Sequence, residues 1–224
     1  MPFENNFVVA RTIEDAWRDS MWLCVRNGYN YKIEQGSYVG QIRKQLPYVT
    51  IRITEPWTTP LAVRMPEGCG IPPVTSEENI YEYFYRFIID KEKDTNEYTY
   101  GNYIVPQLPE VIEKLNDSNG NTNQACIQIG SMSSVIAENP PCLRIIDFKV
   151  AYGKLNMSLF FRSWDNYAGM PQNLGGLELL KQYVHSWLKF PVENGEIVAY
   201  SSGLHLYEMY FPLVNQLNVD KISI

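Results

Sequence analysis

Apolar residues recur at helical spacing early in the chain, where Ala16, Trp17, Met21, Trp22 and Val25 mark one face. Thr12 stands at the cap position, Glu14 and Asp15 fall in the first turn, and Asn27-Gly28 ends the run. The spacing predicts a helix over residues 11–27. After a Gln35-Gly36 turn the period drops to two, with Val49, Ile51 and Ile53 alternating against Thr50, Arg52 and Thr54. Strands are predicted over 37–46 and 47–53. Pro and Gly break the pattern from 56 to 73. Thr75-Ser76-Glu77-Glu78 then opens a second helix, running to about residue 90. A charged connection over 91–97 leads to a helix around 109–115, a polar loop over 116–123 and a buried strand over 124–130. Two strand-like runs, 145–150 and 155–161, flank Gly153-Lys154 and read as a hairpin. An apolar helix over 174–188, a strand over 196–201, an extended stretch over 203–208 and a last helix over 209–217 complete the pattern. Strands occur in every third of the chain with helices between. The expected fold is mixed α/β or α+β, a mixed sheet with flanking helices, in one domain spanning 1–224.

Composition narrows the function classes. A chain of 224 residues with 45% apolar side chains can build a core without staples. A net charge of −6 argues against nucleic-acid binding but leaves room for a small anion held by a local cation cluster. There is no apolar run of membrane-spanning length, and the N-terminus lacks a signal-peptide pattern, so a cytoplasmic protein is expected. Cys24, Cys69, Cys126 and Cys142 show no metal spacing and are expected as reduced thiols. With only His185 and His205 to add, no metal site is expected.

The chemistry concentrates between residues 139 and 176. Cys142 follows a rigid Pro140-Pro141, and the hairpin then delivers Arg162-Ser163 and Asp165, with Asn173 shortly after. A thiol, an anion clamp and an amide brought to one sheet end suggest a nucleotide site with a covalent step. Each residue also has an ordinary structural reading: Asp165 as a loop cap, His205 as a satisfied strand histidine, Asn173 as a helix cap, His185 as a packed helix-end residue. Glu82 lies in the aromatic helix over 75–90. It is either a surface carboxylate or, if it faces inward, an acid with a raised pKa. Cys69, flanked by Gly68 and Gly70, is a rival nucleophile with no base or clamp beside it. Arg43 and Lys44 are either solvated strand charges or phosphate ligands.

Taken together, Arg162-Ser163-x-Asp165, Gly169-x-Pro171-x-Asn173 and His205-x-Tyr207 resemble thymidylate synthase and the related dCMP-type pyrimidine nucleotide hydroxymethylases. Pro140-Pro141-Cys142 and Tyr100-Gly101 add to the resemblance, which is strongest from about residue 76 onward. The short chain and the Pro-Pro-Cys-Leu-Arg form look most like the archaeal thymidylate synthase branch. The resemblance implies a thymidylate synthase-like fold and a C5-methyltransferase that makes dTMP from dUMP. Cys142 would add to pyrimidine C6, Arg162 and Ser163 would hold the 5′-phosphate, and Asn173 would read the base. His205 and Tyr207 would bind the ribose, and Asp165 the pterin. Glu82 aligns with the family's acid-base glutamate, and Tyr100 would support proton removal from C5. The implied cosubstrate is 5,10-methylene-tetrahydrofolate or a methanopterin-type analogue, and the implied assembly is a homodimer, with a monomer also open.

Three departures bear on that expectation. Leu143 stands where the family usually has His after the nucleophile. Asn123-Gln124 aligns with an Arg pair that a partner subunit lends to the phosphate in the family, a loss expected to weaken phosphate binding unless Lys32, Arg43, Lys44 or Arg144 replace the pair. The chain ends Asp220-Lys221-Ile222-Ser223-Ile224, without the family's closing C-terminal segment. Two alternatives therefore stand beside methylation: a pyrimidine nucleotide hydroxymethylase, and a nucleotide-binding homologue without catalysis.

Overall fold

The structure is a computed structural model that describes residues 5–90 and 99–217. Six strands form the larger sheet, in the order β1 (Phe7–Ala10), β4 (Val49–Ile53), β9 (Glu193–Ser201), β7 (Lys154–Phe161), β6 (Leu143–Ala151) and β5 (Cys126–Gln128). A second sheet has the order β2 (Tyr29–Lys32), β3 (Ile42–Gln45), β10 (Leu204–Tyr207) and β8 (Trp164–Asp165). Parallel pairs (β1 with β4, β7 with β9, β8 with β10) mix with antiparallel ones, so both sheets are mixed. The helices are α1 (Ile13–Asn27), α2 (Glu77–Tyr83), α3 (Gly101–Asp117), α4 (Gly169–Ser186) and α5 (Phe211–Leu217). This is the expected mixed α/β architecture. No helix among the described residues is long and apolar enough to cross a membrane.

Local chemistry explains most boundaries. The Thr12 hydroxyl accepts from Asp15 N at 3.1 Å, and Asp15 Oδ2 accepts from Thr12 N at 3.1 Å, a capping box that starts α1. Gly28 N closes the other end on Cys24 O at 2.9 Å. The inner face of α1 buries Ile13, Ala16, Trp17, Met21 and Cys24. In β4, Val49, Ile51 and Ile53 are buried, as the period of two requires.

Several boundaries differ from the sequence reading. Residues 37–41 turn rather than extend: Tyr38 and Gly40 have φ of 63° and 95°, and β3 begins only at Ile42. The second helix changes pitch at Phe84, where a wider π-helical segment carries the chain to Ile89. The third helix begins at Gly101 and includes Pro106 and Pro109, well before the predicted start. The fourth begins at Gly169, because Pro171 in a first turn withholds an N–H that has no helical partner anyway. The charged stretch 91–97 and the C-terminal residues 218–224 lie outside the described residues.

Two of these elements meet closely beneath the site. A Cβ placed on Gly175 would lie 2.7 Å from Ile80, and one on Gly176 would lie 2.6 Å from the ring of Tyr83. The adjacent glycines let α4 accept the inner face of α2 and bring Tyr83 up to Asn173.

Candidate active site

Cys142 immediately precedes β6, and Arg162 immediately follows its antiparallel neighbour β7. One backbone bond ties them: Arg162 N donates to Cys142 O at 2.9 Å. The register then slips between Leu143 and Ile145, leaving Arg144 as the extra residue of a bulge. The guanidinium of Arg162 turns back over the Pro-Pro step. Its Nε donates to Pro141 O at 3.0 Å and its Nη2 to Pro140 O at 2.5 Å. Nη2 also lies 3.8 Å from Cys142 Sγ. The prolines supply acceptors without competing donors, which fixes the guanidinium beside the thiol. Leu143 N donates to the buried Tyr100 hydroxyl at 3.2 Å, holding the chain on the other side of the thiol.

Cys142, Arg162, Ser163, Tyr207 and Arg43 line one cleft of about 840 Å³. Burial raises the Cys142 thiol above its ordinary value, while the charges of Arg162 and then Arg43 pull it back down. Thiolate formation therefore depends on those two cations.

Asp165 sits at the end of β8, and its Oδ1 accepts from Tyr167 N at 3.0 Å and Ala168 N at 3.4 Å. The loop-cap reading is thus realised. Burial still pushes the carboxyl up to about 6 against those backbone donors. Asn173 is anchored at both amide atoms. Its Oδ1 accepts from Trp164 Nε1 at 3.0 Å, and its Nδ2 donates to Tyr83 Oη at 2.8 Å. His205 is buried, with Nδ1 2.8 Å from Gly203 O and Nε2 without a hydrogen-bond partner among the described residues. Burial, helped by Arg43, lowers its pKa to about 3, so the ring is neutral. Tyr207 packs edge-on to His205 at 4.8 Å and accepts from Arg43 Nη2 at 2.9 Å.

Glu82 is not brought to this cluster. It lies on the outer face of α2, paired with Arg86 at 3.1 Å, and its side chain remains 52% exposed. The helical phase explains the difference: Ile80 and Tyr83 point inward against Gly175 and Gly176, which turns Glu82 out. Of the other thiols, Cys24 is fully buried, and burial pushes it up to about 12. Cys69 Sγ accepts from Ile71 N at 3.4 Å in the loop before α2. Cys126 lies on β5, where burial and Asp147 raise it. None of these three lines the cleft. Among the candidate cations, Lys32 is exposed at the end of β2, Lys44 lines a separate small pocket with Val25 and Asn30, and Arg144 lies against Gly130. Only Arg43 of the four lines the cleft. Asn123 and Gln124 border a shallow depression elsewhere, with Lys149. Among the described residues, no group of three or more His, Cys, Asp or Glu side chains is placed to hold a metal.

Tyr83 and Trp164 were missed by sequence reasoning. The signal for Tyr83 was Gly175-Gly176, two small residues on one helix that admit a bulky neighbour. Trp164 lies inside the Arg-Ser-x-Asp motif at a position that the motif leaves open.

A sequence model of the thymidylate synthase family matches residues 75–221. This chain belongs to the thymidylate synthase family. It is 30% identical over 214 residues to a protein of Methanosarcina acetivorans named "Putative thymidylate synthase", covering 93% of this chain and 92% of that one. A protein of the same name from Methanosarcina barkeri is 30% identical over 218 residues, covering 94% and 93%. One from Methanocaldococcus jannaschii is 24% identical over 182 residues, covering 75% and 81%. These archaeal relatives accord with the resemblance to that branch, and thymidylate synthase family membership implies a folate-type cosubstrate.

Proposed function

We propose that the protein methylates dUMP to dTMP through covalent addition of Cys142 to the pyrimidine. The observation that carries this reading is the Cys142 thiol held 3.8 Å from Arg162 Nη2 in a cleft that also holds Arg43 and Ser163. The thiolate bonds to C6, and the ring electron pair moves to C5 and O4. C5 then attacks the methylene carbon, and the C5 proton leaves as the carbon–nitrogen bond to the pterin breaks. Hydride from that pterin reduces the C5 methylene, and the C6–S bond breaks, releasing dTMP, the Cys142 thiolate and a dihydropterin. A reduced methylene-pterin supplies both the carbon and the hydride. Arg162 and Ser163 bind the phosphate, by a fork and a hydroxyl suited to its oxygens. Asn173 reads uracil, with one Nδ2–H and one Oδ1 lone pair left over from its two anchors. His205 and Tyr207 contact the ribose, and Asp165 holds the pterin. Tyr100 steadies the backbone beside the nucleophile while C5 loses its proton.

The test is tritium release from C5-labelled dUMP with methylene-tetrahydrofolate or a methanopterin-type donor, followed by the mass of the product. Release that Cys142→Ala abolishes and Cys69→Ala keeps, with a methylated product, supports the reading. A hydroxymethylated product shifts the reaction to the hydroxymethylase. Binding of dUMP without release under either donor leaves a nucleotide-binding homologue.

A homodimer fits the same reading. Phe7, Thr50, Tyr200, Phe160 and Ile145 are successive cross-strand neighbours and form one row across the larger sheet. Phe7, Tyr200 and Ile145 in that row are exposed. Sedimentation of Tyr200→Lys against wild type tests whether this row is the contact.

A further inference from the structure

We propose that Arg43 is the second cation of the anion site, supplied from within this chain, and that it holds the 5′-phosphate opposite Arg162. The assignment rests on the nucleotide reading above and names the group that completes it. Arg43 lies on β3 directly across from Tyr31 on β2 and from Tyr207 on β10. Its Nη1 donates to Tyr31 Oη at 3.0 Å and its Nη2 to Tyr207 Oη at 2.9 Å. Its guanidinium carbon stands 5.9 Å and 4.9 Å from the two ring centroids. Two cross-strand rings therefore hold the side chain in place before any ligand arrives.

The charge balance then points to an anion. Arg11, Arg18, Arg52, Arg64 and Arg86 each pair with a carboxylate. Among the described residues, neither Arg43 nor Arg162 does, although both line the same cleft. Arg43 Nε is buried and donates to nothing among them. Tyrosine hydroxyls and proline carbonyls orient the two guanidinium groups without neutralising them. Asp165 acts on Arg43 electrostatically but forms no ion pair with it among the described residues. Two cations without an ion pair facing one partly buried space favour a polyvalent anion between them. Glu138 also lines the cleft but pairs with neither arginine.

The experiment is calorimetric titration of dUMP, deoxyuridine, dCMP and inorganic phosphate into wild type, Arg43→Ala, Arg43→Lys and Lys44→Ala. Arg43→Ala is expected to weaken dUMP about 10- to 100-fold while deoxyuridine is unchanged. Arg43→Lys restores part of the loss, and Lys44→Ala matches wild type. Equal losses for nucleotide and nucleoside would mean that Arg43 only supports Tyr207, and would overturn the assignment. So would unchanged dUMP affinity in Arg43→Ala, or a wild type that binds neither nucleotide nor phosphate. Arg43-dependent binding of inorganic phosphate or dCMP without binding of dUMP would keep the cation assignment and overturn the uracil reading instead.

Discussion

The indole N–H of Trp164 donates to Asn173 Oδ1 at 3.0 Å. Because indole nitrogen can only donate, this bond fixes which end of the amide is oxygen. Uracil offers O4 beside N3–H, whereas cytosine offers an amino group beside a bare N3. A pinned amide therefore favours one of the two bases, and a free one can flip to match either. Trp164→Phe keeps the stack on Phe161, whose ring centroid is 4.1 Å away, but removes the donor. We expect a stability loss of about 1–3 kcal/mol by urea unfolding. Competition binding should show the preference for dUMP over dCMP falling by roughly tenfold, the effect of about 1.4 kcal/mol.

Gly176→Ala tests the other anchor. The added carbon would meet the Tyr83 ring at 2.6 Å and Ile88 at 2.9 Å. Overpacking of this kind costs about 1–3 kcal/mol and should move Tyr83 away from Asn173. Tyr83→Phe removes the hydroxyl without the crowding. If the anchor matters for the base, both variants should weaken dUMP binding, and only Gly176→Ala should lower the melting temperature appreciably.

Asp165 predicts a pH dependence. Burial raises its folded pKa from 3.8 to about 6, so the folded state binds a proton that the unfolded state has released. Its contribution is most favourable below pH 3.8 and is lost as pH rises through about 6. The loss at neutral pH is roughly 3 kcal/mol, since each tenfold change in proton affinity is worth about 1.4 kcal/mol. Asp165→Asn keeps an acceptor for Tyr167 N and Ala168 N but carries no charge. The variant should be more stable than wild type at pH 7, with the difference shrinking toward pH 4. Urea titrations across that range check this.

Glu82 and Tyr100 separate an exposed pair from a buried one. Glu82→Gln breaks a solvent-exposed pair with Arg86, so it should cost no more than about 0.5 kcal/mol and leave C5 tritium release within about twofold. Tyr100→Phe orphans Leu143 N beside the nucleophile, so it should cost about 1–3 kcal/mol and slow release. Release falling a hundredfold in Glu82→Gln would show that the carboxylate turns inward during turnover.

Sequence patterning revealed what depends on neighbours along the chain. Thr12 and Gly28 mark both ends of α1, and Gly153 marks the turn between β6 and β7, which Tyr152-Gly153 makes one residue ahead of the predicted Gly153-Lys154. The closeness of Cys142 and Arg162 was also legible, because a hairpin returns the chain to the point where it began. Short strands were harder to see. Tyr29–Lys32 is half polar and becomes a strand only by pairing with β3. The outward position of Glu82 was hidden for a related reason: one residue of helical phase separates it from the inward-facing Tyr83, and that phase is set by two glycines about ninety residues away in sequence. For Arg43 the sequence leaves a solvated strand charge and a phosphate ligand both open, because Tyr31 and Tyr207, which flank it, come from other strands.

The two arginines of the cleft belong to different sheets. Arg162 extends from the six-stranded sheet beside Cys142, and Arg43 rises from the four-stranded one. An anion gripped by both is therefore a cross-brace between sheets. Its arrival should slow amide exchange in β3 and at the start of β6 together, so that occupancy of the cleft could be followed from two strands that share no backbone hydrogen bond.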